Sequence, residues 1–286
     1  MNENLYPKSC PLCGDVRYQT IFTYAEPDRY EVTVGVGNDG YSREWVKCKN
    51  CGSYYSIYSR GKGVIERIYT SDYRAKNAEW RSGAPEEVFY KVMALPEGQS
   101  ETKFRVKWIK DRIKCLWENQ VVQKDNPPYN FLDIGGGTGV FAFDFQDGDW
   151  RAHVMDPNED AIFIKNKLNI PLVQEYYSPK KFSNLFHLVS MVFVLEHLSD
   201  PVGILKNLRA DMTTNSFLYI EVPDAIAFER KPKQDDIFNS CHLWMFSPSS
   251  LAAMLSRGGF ELLTLDRVKI KRGHYAIMAI ATPASL

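Results

Sequence analysis

Residues 131–141 read FLDIGGGTGVF, an apolar run that reaches Asp133 and then breaks into four glycines within five positions. Glycines gathered where a strand gives way to a helix clear side chains from a place that something must approach closely. A phosphate-cradling P-loop requires Gly-Lys-Ser/Thr after its glycines; here Thr138 follows Gly137 with no lysine nearby, which disfavours ATP hydrolysis. The dinucleotide fingerprint requires glycine or alanine three positions after its second glycine, and that position is Val140. The residues instead spell Asp-x-Gly-x-Gly-x-Gly, from Asp133 through Gly135, Gly137 and Gly139, and a second acid, Asp156, ends the next strand-like run. These intervals suit an adenosine cofactor that lacks a pyrophosphate. Its amino-acid tail can pack on bare backbone amides, and the Asp156 carboxylate can accept from both ribose hydroxyls. A glycine turn of purely structural origin is the alternative.

Outward from this loop, strand and helix patterns alternate. YNFLDIG precedes a helix from about Thr138, AHVMD precedes the helical NEDAIFIKNKL, and PLVQ and FHLVSMV precede the helical DPVGILKNLRADM, with SFLYIEV after it. That alternation predicts an α/β doubly wound sheet, whose ligands bind beyond the carboxyl ends of the strands. SPSSLAAMLSRGGF then reads as a helix opened by Ser-Pro, and FELLTLDRVKI and HYAIMAIAT read as a final antiparallel pair.

The 286 residues carry 35 Lys plus Arg against 35 Asp plus Glu, so no global field draws the chain to nucleic acid or an acidic membrane. No signal peptide is legible at the N-terminus, and the longest apolar run, LVSMVFVL at 188–195, is too short to span a bilayer, which predicts a cytoplasmic protein without membrane insertion. Oligomeric state is not legible.

Two pairs of cysteines agree with that compartment: Cys10 and Cys13 in CPLCG, Cys48 and Cys51 in CKNCG. Each C-x-x-C-G can turn two thiolates toward one ion, so the four predict a tetrahedral zinc site, redox dithiols or disulfides being the alternative. A four-thiolate shell is closed to substrate, so the zinc is expected to be structural. Between the pairs, YEVTVGVGNDGYSREWVKC alternates around a GNDG turn and predicts a hairpin in a ribbon-like lobe spanning 1–60. That stretch holds seven basic and seven acidic residues, a balance that disfavours nucleic acid. Residues 61–125 read as a helical connector and lid, with Ile109, Ile113 and Leu116 on one face and Lys103, Lys107, Lys110 and Lys114 on another; such a stripe is ordinarily a solvated face. Pro127 and Pro128 end the helix, and a core domain of 126–286 begins.

From about residue 126 onward the sequence resembles the class I S-adenosylmethionine-dependent methyltransferases. LDIGGGTG, HVMDPN, FHLVSMVFVLEHLSDPVGILKNL, FLYIEVPD and HLWMFSPSSLAAMLSRGGF carry the resemblance. It implies a Rossmann-like seven-stranded sheet with an antiparallel last strand, and S-adenosylmethionine held by Asp133, Gly135, Gly136, Gly137, Gly139, Asp156, Pro157 and Phe193. His187 stands where many members of the family carry aspartate. The cysteine pairs are similar to those of a narrower subgroup, the sugar C-methyltransferases, which carry a further C-terminal domain without a counterpart here. In that subgroup a histidine ahead of x-x-x-Phe-Ser is the substrate-side base, a position matched by His242 in CHLWMFS. The subgroup's preceding glutamate is Cys241 here, and its tyrosine is Asn239.

The expectation is therefore methyl transfer to a small-molecule or carrier-linked substrate such as a sugar nucleotide or polysaccharide precursor. Two alternatives stand: an RNA or protein methyltransferase that uses the zinc lobe as a reader, and a non-catalytic cofactor-binding scaffold. His242 is the candidate base and His197 its rival, with a structural histidine as the alternative for each. Ser199 or Asp200 is read as the cap of the helix after His197. Asp224 and Tyr73 are candidate substrate contacts, Tyr73 with Tyr69 belonging to a lid or to helical packing.

Overall fold

A computed structural model describes residues 6–59, 63–64, 67–68, 83–271 and 273–285. The strand that leads into the glycine loop, β4 (Tyr129–Ile134), lies at the heart of a seven-stranded sheet ordered β10-β11-β8-β7-β4-β5-β6. The sheet's other strands are β5 (Trp150–Met155), β6 (Leu172–Val173), β7 (Phe186–Val192) and β8 (Met212–Pro223), all parallel to β4, then β10 (Phe260–Lys269) and β11 (Tyr275–Pro283). β11 runs antiparallel to both β8 and β10, as the apolar final pair of segments predicts. Ile134 pairs with Met155 on one side and Met191 on the other, so β4, β5 and β7 end together. The glycine loop, Asp156 and the turn after β7 are thereby placed along one carboxyl edge.

Both faces of this sheet are covered, which is why its strands read as nearly unbroken apolar runs. On one face a helix at Glu101–Glu118 buries Ile109 and Ile113 among Phe131, Phe141, Phe145, Trp150 and Phe217. Each such isoleucine contributes roughly 1.5–3 kcal/mol. On the other face Leu205 and Leu208, from the helix Pro201–Leu208, meet Leu251, Met254 and Leu255 from the helix Pro248–Arg257. Asp200 caps the first of these through Gly203 N at 2.9 Å, and Ser247 caps the second with proline at its start. The lysine stripe is locally paired: Lys103 donates to the carbonyls of Met93 and Leu95, Lys107 pairs with Asp111, Lys110 with Asp147 and Lys114 with Glu118.

Two helical expectations shift. The helix after the glycine loop spans Val140–Phe145, with left-handed Gly139 at its N-cap rather than Thr138 inside it. NEDAIFIKNKL forms a 3-10 turn at Glu159–Ala161 and a π turn at Ile164–Leu168. Ile164 and Leu168 press on Gly139, where a Cβ would lie 2.8 Å from Ile164, so close packing on the loop sets this irregular path.

The N-terminal lobe is a four-stranded antiparallel sheet of β1 (Tyr18–Tyr24), β2 (Arg43–Cys48), β3 (Tyr54–Tyr58) and β9 (Trp244–Met245), the last contributed from far along the chain. The alternating YEVTVGVGNDG is not a hairpin. Residues Arg29–Thr33 are helical, because Asp28 accepts from the amides of Tyr30 and Glu31 while Glu31 reaches back to the Asp28 amide. This capping box buries Tyr30 and Glu31 and overrides the β-pattern of the valines. The real hairpin partner of β2 is β3.

Candidate functional site

The four glycines of the loop answer different steric demands. Gly135 has φ +75°, and a Cβ there would stand 2.5 Å from Val194 of the turn after β7. Gly137 has φ +58°, and a Cβ would meet nothing within 4 Å, so its bare face opens outward. The loop is pinned to its neighbour by Asp156, whose Oδ2 accepts from Gly137 N at 2.8 Å and whose Oδ1 accepts from Asn158 N at 2.8 Å. The carboxylate lies beside the open face of Gly137, and the residues fit an adenosine ribose. Pro157 follows, partly buried, and Phe193 comes directly after β7 with φ +54°, a strained conformation for a bulky residue of the kind that gathers at ligand sites.

Beneath the loop Asp133 is fully buried and accepts a 2.6 Å bond from Ser190 Oγ, its cross-strand partner on β7. Burial pushes its carboxyl up to about 7, with the Asp156 charge adding to the rise and Ser190 and Arg105 opposing it. Arg105 is itself buried in an ion pair with Glu221, Nη2 to Oε1 at 2.9 Å, and Tyr219 donates to the same carboxylate at 2.7 Å. Burial works against the Arg105 charge, but Glu221 outweighs it and holds the guanidinium protonated.

At the same edge the turn Leu195–His197 meets the segment before β9. The His197 and His242 rings lie 4.9 Å apart. His197 Nδ1 bonds the Cys241 carbonyl at 2.9 Å and His242 Nδ1 bonds the Ile237 carbonyl at 2.7 Å; each carbonyl can only accept, so both Nδ1 atoms carry the proton. Desolvation lowers His242 to about 4, keeping it neutral with an Nε2 lone pair at physiological pH. The N-terminal lobe holds this segment in place. Asp28 accepts from Ser240 N and Oγ at 2.6 and 2.8 Å, and Arg43 donates to Phe238 O at 2.8 Å. The departures at 239 and 241 are local braces: Asn239 Oδ1 accepts from the amide of buried Cys241 at 2.8 Å.

Sequence reasoning missed Glu196, read only as the neighbour of His197. It is fully buried, and neither carboxylate oxygen meets a hydrogen-bond donor among the described residues. It also missed Asp28 and Arg43, whose role depends on contacts about two hundred positions away. Asp224 is buried, accepts from Ile226 N and holds Arg267 in a two-pronged ion pair at 2.6 and 2.7 Å, contacts that anchor the turn after β8. His187 accepts from Asn130 N at 3.0 Å and braces β7 against β4. Tyr69 and Tyr73 lie outside the described residues.

The four cysteines converge at the far end of the N-terminal lobe. Cys10 and Cys51 Sγ are 3.6 Å apart, Cys13 and Cys48 3.5 Å. Both C-x-x-C-G turns are built alike: Gly14 N donates to Cys10 O and Gly52 N to Cys48 O, both glycines having positive φ. Thiolates about 2.3 Å from one zinc ion stand about 3.8 Å apart in a tetrahedron, so the cluster fits zinc.

A doubly wound sheet with an open glycine loop and an acid at the next strand tip defines a class of nucleoside-cofactor enzymes. A family profile described as a methyltransferase domain matches residues 104–265, more than half of the chain, and the chain belongs to that methyltransferase family. Among solved structures it is similar to the magnesium protoporphyrin IX methyltransferase of Synechocystis PCC 6803, crystallised with bound S-adenosylhomocysteine, at 12% identity and TM-score 0.52, covering 78% of this chain and 100% of that one. A methyltransferase from Clostridium acetobutylicum ATCC 824 is similar at 11% identity and TM-score 0.50, covering 70% and 98%. These likenesses are of fold. No curated protein matches the sequence. Among the described residues no helix is long and apolar enough to cross a membrane.

Proposed function

We propose that the chain transfers a methyl group from S-adenosylmethionine to a small or carrier-linked metabolite, such as a nucleotide-activated sugar or polysaccharide precursor. The cofactor rests on Gly135, Gly136, Gly137 and Gly139, with its ribose on Asp156 and its flanks against Pro157 and Phe193, and Asp133 supports the loop from beneath. The observation that carries this reading is the Asp156 carboxylate, held by two amides beside the bare face of Gly137. The methyl bond to sulfur breaks as the bond to the acceptor forms, sulfur keeps the electron pair, and the acceptor proton passes to Nε2 of His242, with His197 beside it. Alignment supplies much of the acceleration. Asp224 and Tyr73 are the proposed acceptor-side contacts.

The lobe of 1–60 serves as a zinc-stapled clamp: Cys10, Cys13, Cys48 and Cys51 hold one structural ion, and Asp28 and Arg43 fix the segment that bears His242. Residues 61–125 form the connector and lid, and 126–286 the catalytic core. Paired metal-binding thiolates suit a reducing compartment such as the cytoplasm. A crystal soaked with S-adenosylhomocysteine tests the reading. Ribose hydroxyls against Asp156 support it, and a ligand seated elsewhere overturns it.

A further inference from the structure

We propose that Glu196, His197 and His242 form a second metal site, one for a divalent transition cation. Their donor atoms all lie within 4.8 Å of one another, with His197 Nε2 3.8 Å from Glu196 Oε1. Both imidazoles give Nδ1–H to backbone carbonyls, of Cys241 and Ile237. That is the outer-shell bond which fixes the tautomer and ring orientation of a metal-binding histidine. Beneath them Glu196 is 0% exposed, and neither of its oxygens has a hydrogen-bond donor among the described residues. A carboxyl buried without donors either keeps a proton or takes a cation, and the two imidazoles beside it supply the rest of a cation's protein shell.

The frame is rigid where it needs to be. Leu243 N donates to the Glu196 carbonyl at 2.8 Å and Trp244 Nε1 to the Leu198 carbonyl at 2.9 Å, tying the two ligand-bearing segments together. Donors about 2.1 Å from a single ion stand about 3.0–3.4 Å apart, so the side chains close slightly when it binds. Two imidazoles and one carboxylate suit Mn²⁺, Fe²⁺, Co²⁺, Ni²⁺ or Zn²⁺ better than Mg²⁺ or Ca²⁺, which favour oxygen shells. Three protein ligands leave coordination positions open, unlike the closed four-thiolate site.

This deepens the proposed function and rests on it for its role. An ion here would bind an acceptor oxygen and lower its pKa so that its proton passes to solvent, with the Nε2 of His242 on the ion; the base role given to His242 above then belongs to the metal-free protein.

The test is a Mn²⁺ titration of the purified full-length protein followed by electron paramagnetic resonance, since Mn²⁺ is poorly suited to the thiolate site. About one Mn²⁺ should bind per chain, with pulsed spectra showing ¹⁴N coupling from coordinated imidazole. Glu196→Gln and His242→Gln should each weaken uptake beyond the roughly 10–100-fold that loss of a supporting contact costs. Wild type that takes up no Mn²⁺, bound Mn²⁺ without nitrogen coupling, or undiminished uptake by both variants would overturn the site. Calorimetry with S-adenosylhomocysteine, run on the same samples, separates the claims: cofactor binding without Mn²⁺ uptake removes the ion alone, and Mn²⁺ uptake without cofactor binding removes the methyl-transfer reading alone.

Discussion

Replacing Asp133 with asparagine should make the ligand-free protein more stable at pH 8. In the fold this carboxyl is lifted from its ordinary value near 3.8 to about 7, chiefly by burial. The sign follows from linkage. The folded state holds a proton that the unfolded chain has released between about pH 4 and 7, so this contribution is full below pH 4 and is lost as pH rises through 7. At 1.36 kcal/mol per pKa unit, the rise corresponds to at most about 4 kcal/mol, and structural relaxation brings the expected effect to about 2–4 kcal/mol. Asparagine mimics the protonated acid: its oxygen can still accept from Ser190. Urea denaturation of wild type and Asp133→Asn at half-unit steps from pH 4 to 8.5 isolates the effect, because His242 and other groups that titrate in this window cancel in the difference. The variant should match wild type near pH 4 and exceed it progressively up to about pH 7.5. A difference independent of pH, or a variant less stable at pH 8, would refute the reasoning.

Three further outcomes follow from the lobe and the histidines. Cys10→Ser should lower the tightly bound zinc of the four-thiolate site from about one ion per chain toward none and unfold the lobe locally, since structural zinc supplies folding energy; elemental analysis and amide exchange read both effects. Asp28→Ala removes a helix cap and two bonds to Ser240, and should cost about 1–3 kcal/mol in thermal unfolding, with turnover falling as the His242 segment loosens. In chelator-treated, metal-free protein, His242, lowered to about 4 by desolvation, should keep the acidic limb of the turnover profile near pH 4–5 rather than 6.5, and His242→Ala should abolish that limb; an unaltered profile would remove it as the base.

What was legible in the sequence is what local chemistry dictates. The glycines of 135–139 and Asp156 announced a strand-end cradle, and the C-x-x-C-G pairs announced two matched turns. The alternation of patterns predicted the sheet, including its antiparallel β11. The helix at Arg29–Thr33 was misread because period-two valines were weighed above the Asp28–Glu31 capping box that wins locally. β9 is two residues long and joins a sheet whose other strands lie nearly two hundred positions earlier, so no local pattern marks it. Glu196 could have been suspected from its place beside His197 at a strand end, but only the fold reveals a carboxylate buried without donors. Asp224 reads as an acid at a ligand-binding edge, and its pairing with Arg267 comes from tertiary contact alone.

The central claim is that the Gly137 and Asp156 edge seats the adenosyl sulfonium, and calorimetric titration with S-adenosylmethionine tests it most directly. Wild type should bind saturably at one site. Asp156→Asn, which weakens charge-assisted bonds of about 1.5–3 kcal/mol each to the ribose, should lose about 10–100-fold in affinity. No binding by a folded wild-type protein, or equal binding by Asp156→Asn, would contradict it.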